Sequence, residues 1–570
     1  MMDWQRIGLL LGIAAVLVTL LFRWNAFQEA RLPEIETETT ITEFADPGAN
    51  FPSANPGSSL SDQGDSAVPG ELSQDEESNH IDAAAPTLTA SRKLIKVTTD
   101  SLNVSIDTLG GDIVMVALPK FPVTIEQPDN PLIILNRTQS TTYIAQSGLV
   151  GRNGTDTAES RPLFSSAADS YTLSEGEDEL QVDLHFQQDD VKITKRYTFK
   201  RSDYLVRMEY LVDNQSGAPW TGRLYGQILR DDHKPGKNLP AFAMSSFLGV
   251  STTTEEENYK KMDFDDIAED RFSQTKQDSW IALVQHYFIS AWVPNPELDV
   301  DYDFRQLKGS GLYRFLFQEP RTTIAPGEQA TMFADFYVGP KDVYRLEDIA
   351  PNLELVADYG PLWFICKPLF YFLNWLYSFL GNWGVAIIVL TICIKAAFFH
   401  LSATSYRSMA KMRKFAPKMA ELKERYGDNR QKLQEETMKL YRKEKVNPLG
   451  GCLPMLVQIP VFIALYWTLM ESVELRHAPF MLWINDLSAK DPYFILPLLY
   501  GTTFWFQQKL NPQMGDPTQQ KIMQMMPWVF TIFFLFFPSG LVLYWVVNGL
   551  LSMAQQYVIT KQIENADAKA

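Results

Sequence analysis

Apolar and polar stretches alternate over long distances in this chain. An unbroken apolar run from Ile7 to Phe22 follows a short N-terminus, and no small-residue cleavage site comes after it. This pattern predicts an uncleaved transmembrane anchor over residues 1–27 rather than a signal peptide. Residues 28–92 then change to Pro, Ser, Asp, Glu, Gly and Ala, a composition that predicts a disordered acidic linker.

Residues 93–345 show the period-two alternation that is typical of strands. The runs with this pattern are Leu94–Thr98, Leu102–Ile106, Asp112–Ala117, Leu180–Phe186, Val191–Phe199, Tyr204–Val212, Gly222–Leu229, Gly311–Phe317 and Gln329–Val338. Many short strands with regular turns predict an all-β domain in which antiparallel sheets pack as a sandwich. The region has no HxH, HExxH, GxSxG or glycine-rich phosphate motif, which favours a binding or spacing role over an enzyme.

The C-terminal half contains a series of apolar segments of membrane-crossing length. We predict spans over residues 384–404, 449–475, 492–510, 520–537 and 538–560, which with the anchor make six. The intervening segments are predicted as a basic cytoplasmic helical hairpin (405–448), a periplasmic loop (476–491), a cytoplasmic loop (511–519) and a short cytoplasmic tail (561–570). Because positive charge favours the cytoplasmic side, both termini are predicted in the cytoplasm and the β domain in the periplasm.

Residues 346–383 include an aromatic-rich segment, Pro361–Leu380, which we predict to be a helix lying at the membrane interface. A full crossing here would place the basic hairpin on the same side as the acidic β domain, against the positive-inside rule. Tryptophan and tyrosine also prefer the interface, and Pro368 is expected to interrupt the helix.

One lysine stands out inside the first of the C-terminal spans. In the segment Gly384–Ser402, Lys395 lies roughly 17 Å along a helix from Gly384, about halfway across a hydrocarbon core. A charge at that depth costs on the order of 3 kcal/mol, so we predict that Lys395 faces a water-filled cavity or a polar partner. Thr391 lies one turn earlier on the same face.

Polar residues also occur inside the later spans, as Gln458, Gln507 and Asn548. One buried amide is more typical of helix–helix contact than of a ligand site. Several amides together with a lysine, and without an internal acidic partner, indicate a hydrated groove. Prolines and glycines in these spans, such as Gly501 and Gly549, predict loose packing that leaves a groove open.

Charge and cysteine content narrow the possibilities further. The net charge of −17 is unevenly spread, with acidic residues concentrated between Glu29 and Glu347 and basic residues between Arg407 and Lys445. The three cysteines all lie in apolar stretches, where they are expected as small packing residues, and none forms a metal or redox motif. We predict no cofactor and no metal site.

Three stretches of the helical half closely resemble a known family. They begin at Asn447 (NPLGGCLPMLVQIPVFIALYWTLMESVELRHAPF), Phe537 (FPSGLVLYWVVN) and Met409 (MAKMRKFAPK). They are similar to the YidC/Oxa/Alb family in its Gram-negative form, and the order of anchor, linker, β domain, interfacial helix and five-span core is similar too. The resemblance implies a membrane protein insertase, not an enzyme, that inserts and helps fold inner-membrane proteins through a hydrophilic groove open to cytoplasm and lipid.

The resemblance also implies which residues line that groove. The family carries a positive charge there, usually arginine, and Lys395 stands at the matching position. Lysine keeps the charge but lacks the bidentate fork of arginine. The other residues that match groove positions are Thr391, Gln458, Tyr544, Trp545 and Asn548. The implied fold is an α-helical membrane core plus a periplasmic β-supersandwich without catalytic residues.

The implied partners are nascent inner-membrane proteins, the Sec translocon, membrane lipids and the ribosome, the last through the cytoplasmic loops. Two other classes of function stay open. A transporter or channel would use Lys395 as an intramembrane anion site, although such proteins usually show an inverted repeat, which this sequence does not. A membrane-anchored periplasmic carbohydrate-binding protein would need the helices only as an anchor.

Overall fold

The computed structural model describes residues 68–69, 92–158, 160–233, 246–414, 416–426, 429–443, 453–510 and 517–567. All of them belong to one unit, Asp62–Ala570. The anchor predicted over residues 1–27 lies outside the described residues, as does the predicted linker except for residues 68–69 and 92. Val68 is buried in a cluster with Val150, Tyr225 and Leu316 of the β domain, so the prediction of a disordered linker is wrong at this position.

The chain between Leu94 and Pro340 forms the predicted all-β domain. Its pattern is clearest in the strand Leu205–Asn214, where partly exposed and buried side chains alternate along the whole length. In chain order the strands are β1 (Leu94–Thr98), β2 (Asn103–Asp107), β3 (Asp112–Pro122), β4 (Pro131–Arg137), β5 (Thr142–Val150), β6 (Ser165–Ser166), β7 (Ser170–Thr172), β8 (Glu179–Gln188), β9 (Val191–Lys200), β10 (Leu205–Asn214), β11 (Trp220–Arg230), β12 (Gly249–Thr252), β13 (Lys260–Met262), β14 (Phe272–Lys276), β15 (Ile281–Val284), β16 (Phe288–Pro294), β17 (Val300–Leu307), β18 (Leu312–Gln318), β19 (Thr322–Ile324) and β20 (Gln329–Pro340).

These strands form two sheets in the described part of the chain. One has eleven strands in the order β14-β17-β18-β11-β5-β4-β3-β2-β1-β7, with β19 paired to β11, and the other has nine in the order β13-β12-β15-β16-β20-β10-β9-β8-β6. Neighbouring strands are antiparallel except β1 and β7. Buried side chains from both sheets, including Trp220, Trp292 and Phe336, share one core, which confirms the predicted sandwich.

Helices make up most of the chain after Pro340. In chain order, counting one helix inside the β domain, they are α1 (Phe264–Glu269), α2 (Val343–Ile349), α3 (Trp363–Leu380), α4 (Trp383–Ala397), α5 (Phe399–Lys414), α6 (Ala416–Tyr426), α7 (Arg430–Lys443), α8 (Leu453–Glu471), α9 (Ile495–Leu510), α10 (Pro517–Phe534) and α11 (Ser539–Asp567). The helices α6 and α7 flank the predicted hairpin turn. Because α11 continues to Asp567, most of the predicted tail over residues 561–570 is helical.

The aromatic helix α3 runs through Pro368 without a break, so the expected interruption there is wrong. A proline this close to the start of a helix removes one early backbone hydrogen bond, and the remaining bonds hold the helix. The helix ends at Gly381, whose positive φ of 63° provides a left-handed cap. Large apolar side chains remain exposed along it, and they include Trp363, Phe364, Trp375 and Phe379.

The segment predicted as a span over residues 384–404 is bent, because α4 ends at Ala397 and α5 continues at an angle of 63°. Phe398 takes φ −90° and ψ 7° between them, outside the helical region. Lys395 lies in the last turn of α4, directly before the bend. By length and apolar composition, no single helix among the described residues suffices to cross a membrane, whereas this bent pair together does.

The β domain is joined to the helical half by polar contacts at the end of α8. Lys341, directly after β20, forms an ion pair with Glu471, and both side chains are almost fully buried. Ser246 donates a hydrogen bond to the other oxygen of Glu471 (Oγ–Oε1, 3.1 Å). His286 Nε2 lies 2.9 Å from the carbonyl oxygen of Met470, to which it donates.

Candidate functional site

Three polar residues recur at four-residue intervals along α11: Tyr544, Asn548 and Ser552. This spacing places them on one face of the helix. All three are buried, although hydroxyl and amide groups cost free energy in an apolar interior unless they find partners. We call them the polar row, and its members contact other helices rather than one another's side chains.

Lys395 meets the polar row at Ser552. Its ammonium nitrogen Nζ lies 2.7 Å from the Ser552 hydroxyl oxygen, which accepts this hydrogen bond. The same hydroxyl donates to the carbonyl oxygen of Asn548, one turn earlier in α11, at 2.7 Å. Among the residues that the structure describes, no carboxylate forms an ion pair with Lys395.

Gln458, on α8, contacts the polar row at Asn548, one turn before Ser552. Its side-chain nitrogen Nε2 donates to Asn548 Oδ1 at 2.8 Å. The Tyr544 hydroxyl is also within hydrogen-bonding reach of the Gln458 side chain. Three helices, α4, α8 and α11, are therefore linked through uncharged polar groups and one lysine.

A small cleft adjoins these contacts. Its volume is about 10 Å³, which is about the space that one water molecule requires. We call it the Lys395 cleft, and its lining residues are Lys395, Phe398, Leu401, Ser402 and Gln458. The ammonium lies near the C-terminal end of α4, where the partial negative charge of the helix favours a cation.

Two of the predicted site residues lie outside this arrangement. The Thr391 hydroxyl is buried and donates to the carbonyl oxygen of Ile387 in its own helix at 2.7 Å. Trp545 packs among aromatic rings, with centroid distances of 4.6 Å to Phe462 and 5.6 Å to Phe534. The structure thus brings together Lys395, Gln458, Tyr544 and Asn548, and it adds Ser552, a small residue that the sequence gives no reason to single out.

Glycines in the helical half mark close contacts rather than loose packing. A Cβ atom on Gly501 of α9 would lie 1.9 Å from the Thr531 hydroxyl oxygen of α10. One on Gly549 of α11 would lie 3.1 Å from Thr503 Cγ2 of α9. The prediction that these glycines loosen the bundle is therefore wrong, because their missing side chains let the helices approach closely.

The cysteines and possible metal ligands add no further site. Cys366 is buried as predicted, whereas Cys393 is exposed on α4, against the prediction, and Cys452 lies outside the described residues. Within the described ranges, no group of three or more His, Cys, Asp or Glu side chains is placed to hold a metal ion. Gln507 is partly buried near the end of α9 and does not line the Lys395 cleft.

Comparison with known proteins places this chain in a family. The model described as "60Kd inner membrane protein" matches residues 375–566, and the model described as "YidC periplasmic domain" matches residues 94–372. A solved structure of an active YidC insertase with its first transmembrane domain resolved is 17% identical, with a TM-score of 0.38, over 82% of this chain and 92% of that one.

Relatives align along the full length. Membrane protein insertase YidC of Cellvibrio japonicus is 54% identical over 572 residues, which cover 100% of both chains. That of Stutzerimonas stutzeri is 47% identical over 565 residues and 99% of both chains. These relatives are named as membrane protein insertases, and the family is not a family of enzymes. The chain therefore belongs to the YidC family of inner-membrane protein insertases, which carry a periplasmic domain.

Proposed function

We propose that α4, α8 and α11 move apart at the Lys395 cleft and the polar row, which are closed and buried in this structure, and receive there a hydrophilic segment of a nascent inner-membrane protein while its apolar helix enters the lipid. Polar side chains along α11 would replace part of the hydration that such a segment loses. The apolar helix of the client would then move between the helices into lipid. Burial of that helix drives the step, so the reaction needs no nucleotide.

The observation that carries this proposal is the partner of Lys395. A lysine with a purely structural role is expected to have its donors taken up within the fold, either by a buried carboxylate or by several backbone carbonyl oxygens. Here the ammonium contacts a hydroxyl that is already satisfied as a donor to Asn548. An acidic side chain of a client can therefore replace the Ser552 hydroxyl as the partner of the ammonium without breaking an ion pair. At an effective dielectric constant of about 20, that attraction is worth at most roughly 4 kcal/mol at 4 Å.

The proposed topology has six spans, with both termini in the cytoplasm and the β domain in the periplasm. The bent pair α4 and α5 supports the first C-terminal span. The exposed aromatic side chains of α3 support an interfacial position for residues 346–383. The basic hairpin containing α6 and α7 would then face the cytoplasm and offer a contact for the ribosome, and the Sec translocon would act beside the same helices.

Site-specific crosslinking tests where the client lies. A photo-reactive amino acid is placed at Gln458, at Ser402 or, as a control, at the exposed Lys192 of the β domain. Stalled nascent chains of a single-span client with an acidic N-terminal tail should crosslink to the first two positions and not to the third. Equal crosslinking at all three positions would contradict the proposed site.

Substitution tests the charge itself. Lys395→Ala is expected to lower insertion of this client about tenfold, the effect of losing about 1.4 kcal/mol of the attraction. Lys395→Arg should retain insertion, and Lys509→Ala, which alters an exposed lysine at the end of α9, serves as the matched control. Unchanged insertion by a folded Lys395→Ala protein would remove the ammonium from the mechanism.

A further inference from the structure

A second, larger cleft lies between the β domain and the loop that follows α8. Its volume is about 410 Å³, within the range of small-ligand sites. One wall comes from the end of β3 and the β3–β4 loop, and the other from the residues after Leu475. We call it the junction cleft, and its lining residues are Lys120, Phe121, Pro122, Ile125, Pro128, Arg476 and His477.

The lining of the junction cleft combines positive charge with apolar surface. It includes Lys120 and Arg476 but no acidic side chain. Lys120 is exposed to solvent and pairs with Asp100 at 2.9 Å outside the lining set. Burial, followed by the neighbouring Arg476, lowers the pKa of His477, so the permanent charge of the cleft comes from the lysine and the arginine.

Arg476 is the more unusual of the two cations. Its Nη2 donates to the carbonyl oxygen of Pro122 at 2.7 Å, which ties the loop to the end of β3. Its Nη1 is buried and has no hydrogen-bond partner among the described residues. Asp486 acts electrostatically on Arg476, but among the described residues the two do not form an ion pair. Asp486 Oδ1 accepts from the backbone of His477 and Ser488, and its Oδ2 lies 4.0 Å from His477 Nε2. A partly buried guanidinium without a paired carboxylate is costly, and an anion in the cleft would offset that cost once the Arg476 side chain turns Nη1, which is closed to solvent here, toward it.

We propose that the junction cleft binds the phosphate group of an anionic phospholipid from the periplasmic leaflet. A guanidinium matches phosphate oxygens in a bidentate geometry, and Lys120 would add a second positive charge. The apolar residues of the lining fit the glycerol and upper acyl region. Val123 and Ile125 of the β3–β4 loop are 43% and 39% exposed and add apolar surface at the rim, although the exposed Glu126 of the same loop also acts on His477.

The position of the cleft agrees with a lipid. Arg476 follows the end of α8 by five residues, which span at most about 17 Å when extended. This step rests on the proposed topology, in which α8 crosses the bilayer and ends at the periplasmic side. A lipid bound here would contact the β domain and the membrane-embedded half at once, and would fix the height of the β domain above the bilayer.

Native mass spectrometry of the full chain in detergent tests the proposal. Dioctanoyl phosphatidylglycerol, dioctanoyl phosphatidylcholine, inorganic phosphate and a short acidic peptide are added in separate titrations. We expect one saturable phosphatidylglycerol, with affinity lowered about tenfold by Arg476→Gln and less by Lys120→Gln. Lys93→Gln, which alters an exposed lysine of the same domain that pairs with Asp169, should have no effect. Should Arg476→Gln fail to fold, Arg476→Lys, which keeps the charge, and Lys120→Gln still give the comparison.

Three results would overturn the assignment. Equal binding of phosphatidylcholine and phosphatidylglycerol would show that charge is not recognised. Binding of inorganic phosphate with the same sensitivity to Arg476→Gln would assign the cleft to a free anion. Displacement of the lipid by the acidic peptide would assign it to the translocated chain. Lipid binding and insertion are both measured for these variants and for Lys395→Ala. Loss of insertion by Lys395→Ala while lipid binding stays intact would separate this proposal from the proposed function of the Lys395 cleft.

Discussion

Two lysines show how differently the two halves of this molecule hold a cation. Lys195, on β9, is completely enclosed, and its ammonium donates to the carbonyl oxygens of Gly110 at 2.9 Å and Ser147 at 3.1 Å. Lys395, on α4, is only partly buried and donates to a single hydroxyl, that of Ser552. The ammonium of Lys195 thus has two acceptors within the fold, whereas that of Lys395 has one and can accommodate another.

The surroundings of Lys195 explain its structural character. Arg161 beside it bridges the carboxylates of Asp112 and Asp156, so opposite charges already balance within the sandwich. Burial lowers the pKa of Lys195 to about 7. Both ammonium groups contact uncharged oxygens, so the two sites differ in openness: Lys195 is enclosed on all sides, and Lys395 is only partly buried.

The junction between the halves should be the most sensitive point. Lys341→Ala leaves Glu471 buried without its counter-charge, and we expect a loss of about 3–5 kcal/mol in the free energy of unfolding. Thermal unfolding of the full chain in detergent measures the effect. The double variant Lys341→Ala with Glu471→Gln should recover part of the loss, and Lys367→Ala, at a more exposed ion pair with Glu354, should cost less than about 1 kcal/mol. A stable Lys341→Ala protein would show that the junction is held by other contacts.

A buried carboxylate in the β domain should make stability depend on pH. Burial raises the pKa of Glu319 from 4.5 to about 8, so the folded state keeps a proton that the unfolded state releases above pH 4.5. The stabilising contribution is full below pH 4.5 and is lost as pH rises to about 8, with a slope of at most about 1.4 kcal/mol per pH unit. Glu319→Gln should flatten this part of the unfolding curve. A native protein whose stability is constant from pH 5 to 8 would contradict the assignment.

Lys195→Met should destabilise the sandwich by about 2 kcal/mol, because two buried carbonyl oxygens lose their donor. The exposed Lys192, on the same strand, provides the matched control Lys192→Met, for which no measurable change is expected. Insertion by the Lys195→Met protein should be normal at temperatures where it remains folded. Normal stability together with reduced insertion would reverse the roles assigned to the two lysines.

Ser552→Ala should have the smallest effect. It removes the present partner of Lys395 but not the charge, so we expect insertion to fall by no more than about twofold and stability by about 1 kcal/mol. Thr391→Val provides a control, because that hydroxyl is bonded within its own helix. A loss of insertion by Ser552→Ala as large as that by Lys395→Ala would mean that the serine positions the ammonium rather than merely accepting from it.

Much of this arrangement could be predicted from the sequence, because membrane depth and polarity are local properties. A lysine and amides inside apolar segments indicated the polar site, and the structure brings Lys395, Gln458 and Asn548 together. Period-two alternation likewise indicated β8, β9 and β10. Strands such as β15 and β16 were not indicated, since side chains along them are buried on both faces and do not alternate.

Other features depend on contacts between distant parts of the chain. Lys341 and Glu471 are 130 residues apart, and neither position alone predicts a buried pair. The bend after Ala397 occurs without proline or glycine at Phe398, so the sequence offers no local signal for it. Thr391 has the right spacing for the cleft, but its hydroxyl is satisfied by the carbonyl group of Ile387.

Under the proposed function, the spacing of the polar row limits how many residues of a client it contacts at one time. Tyr544 and Ser552 are eight residues apart, which corresponds to about 12 Å along the helix axis. An extended polypeptide advances about 3.3 Å per residue, so the row, if exposed to a client as proposed, would face roughly four residues at a time. Long hydrophilic tails would have to advance past it in successive short portions, each giving up its contacts as the next arrives.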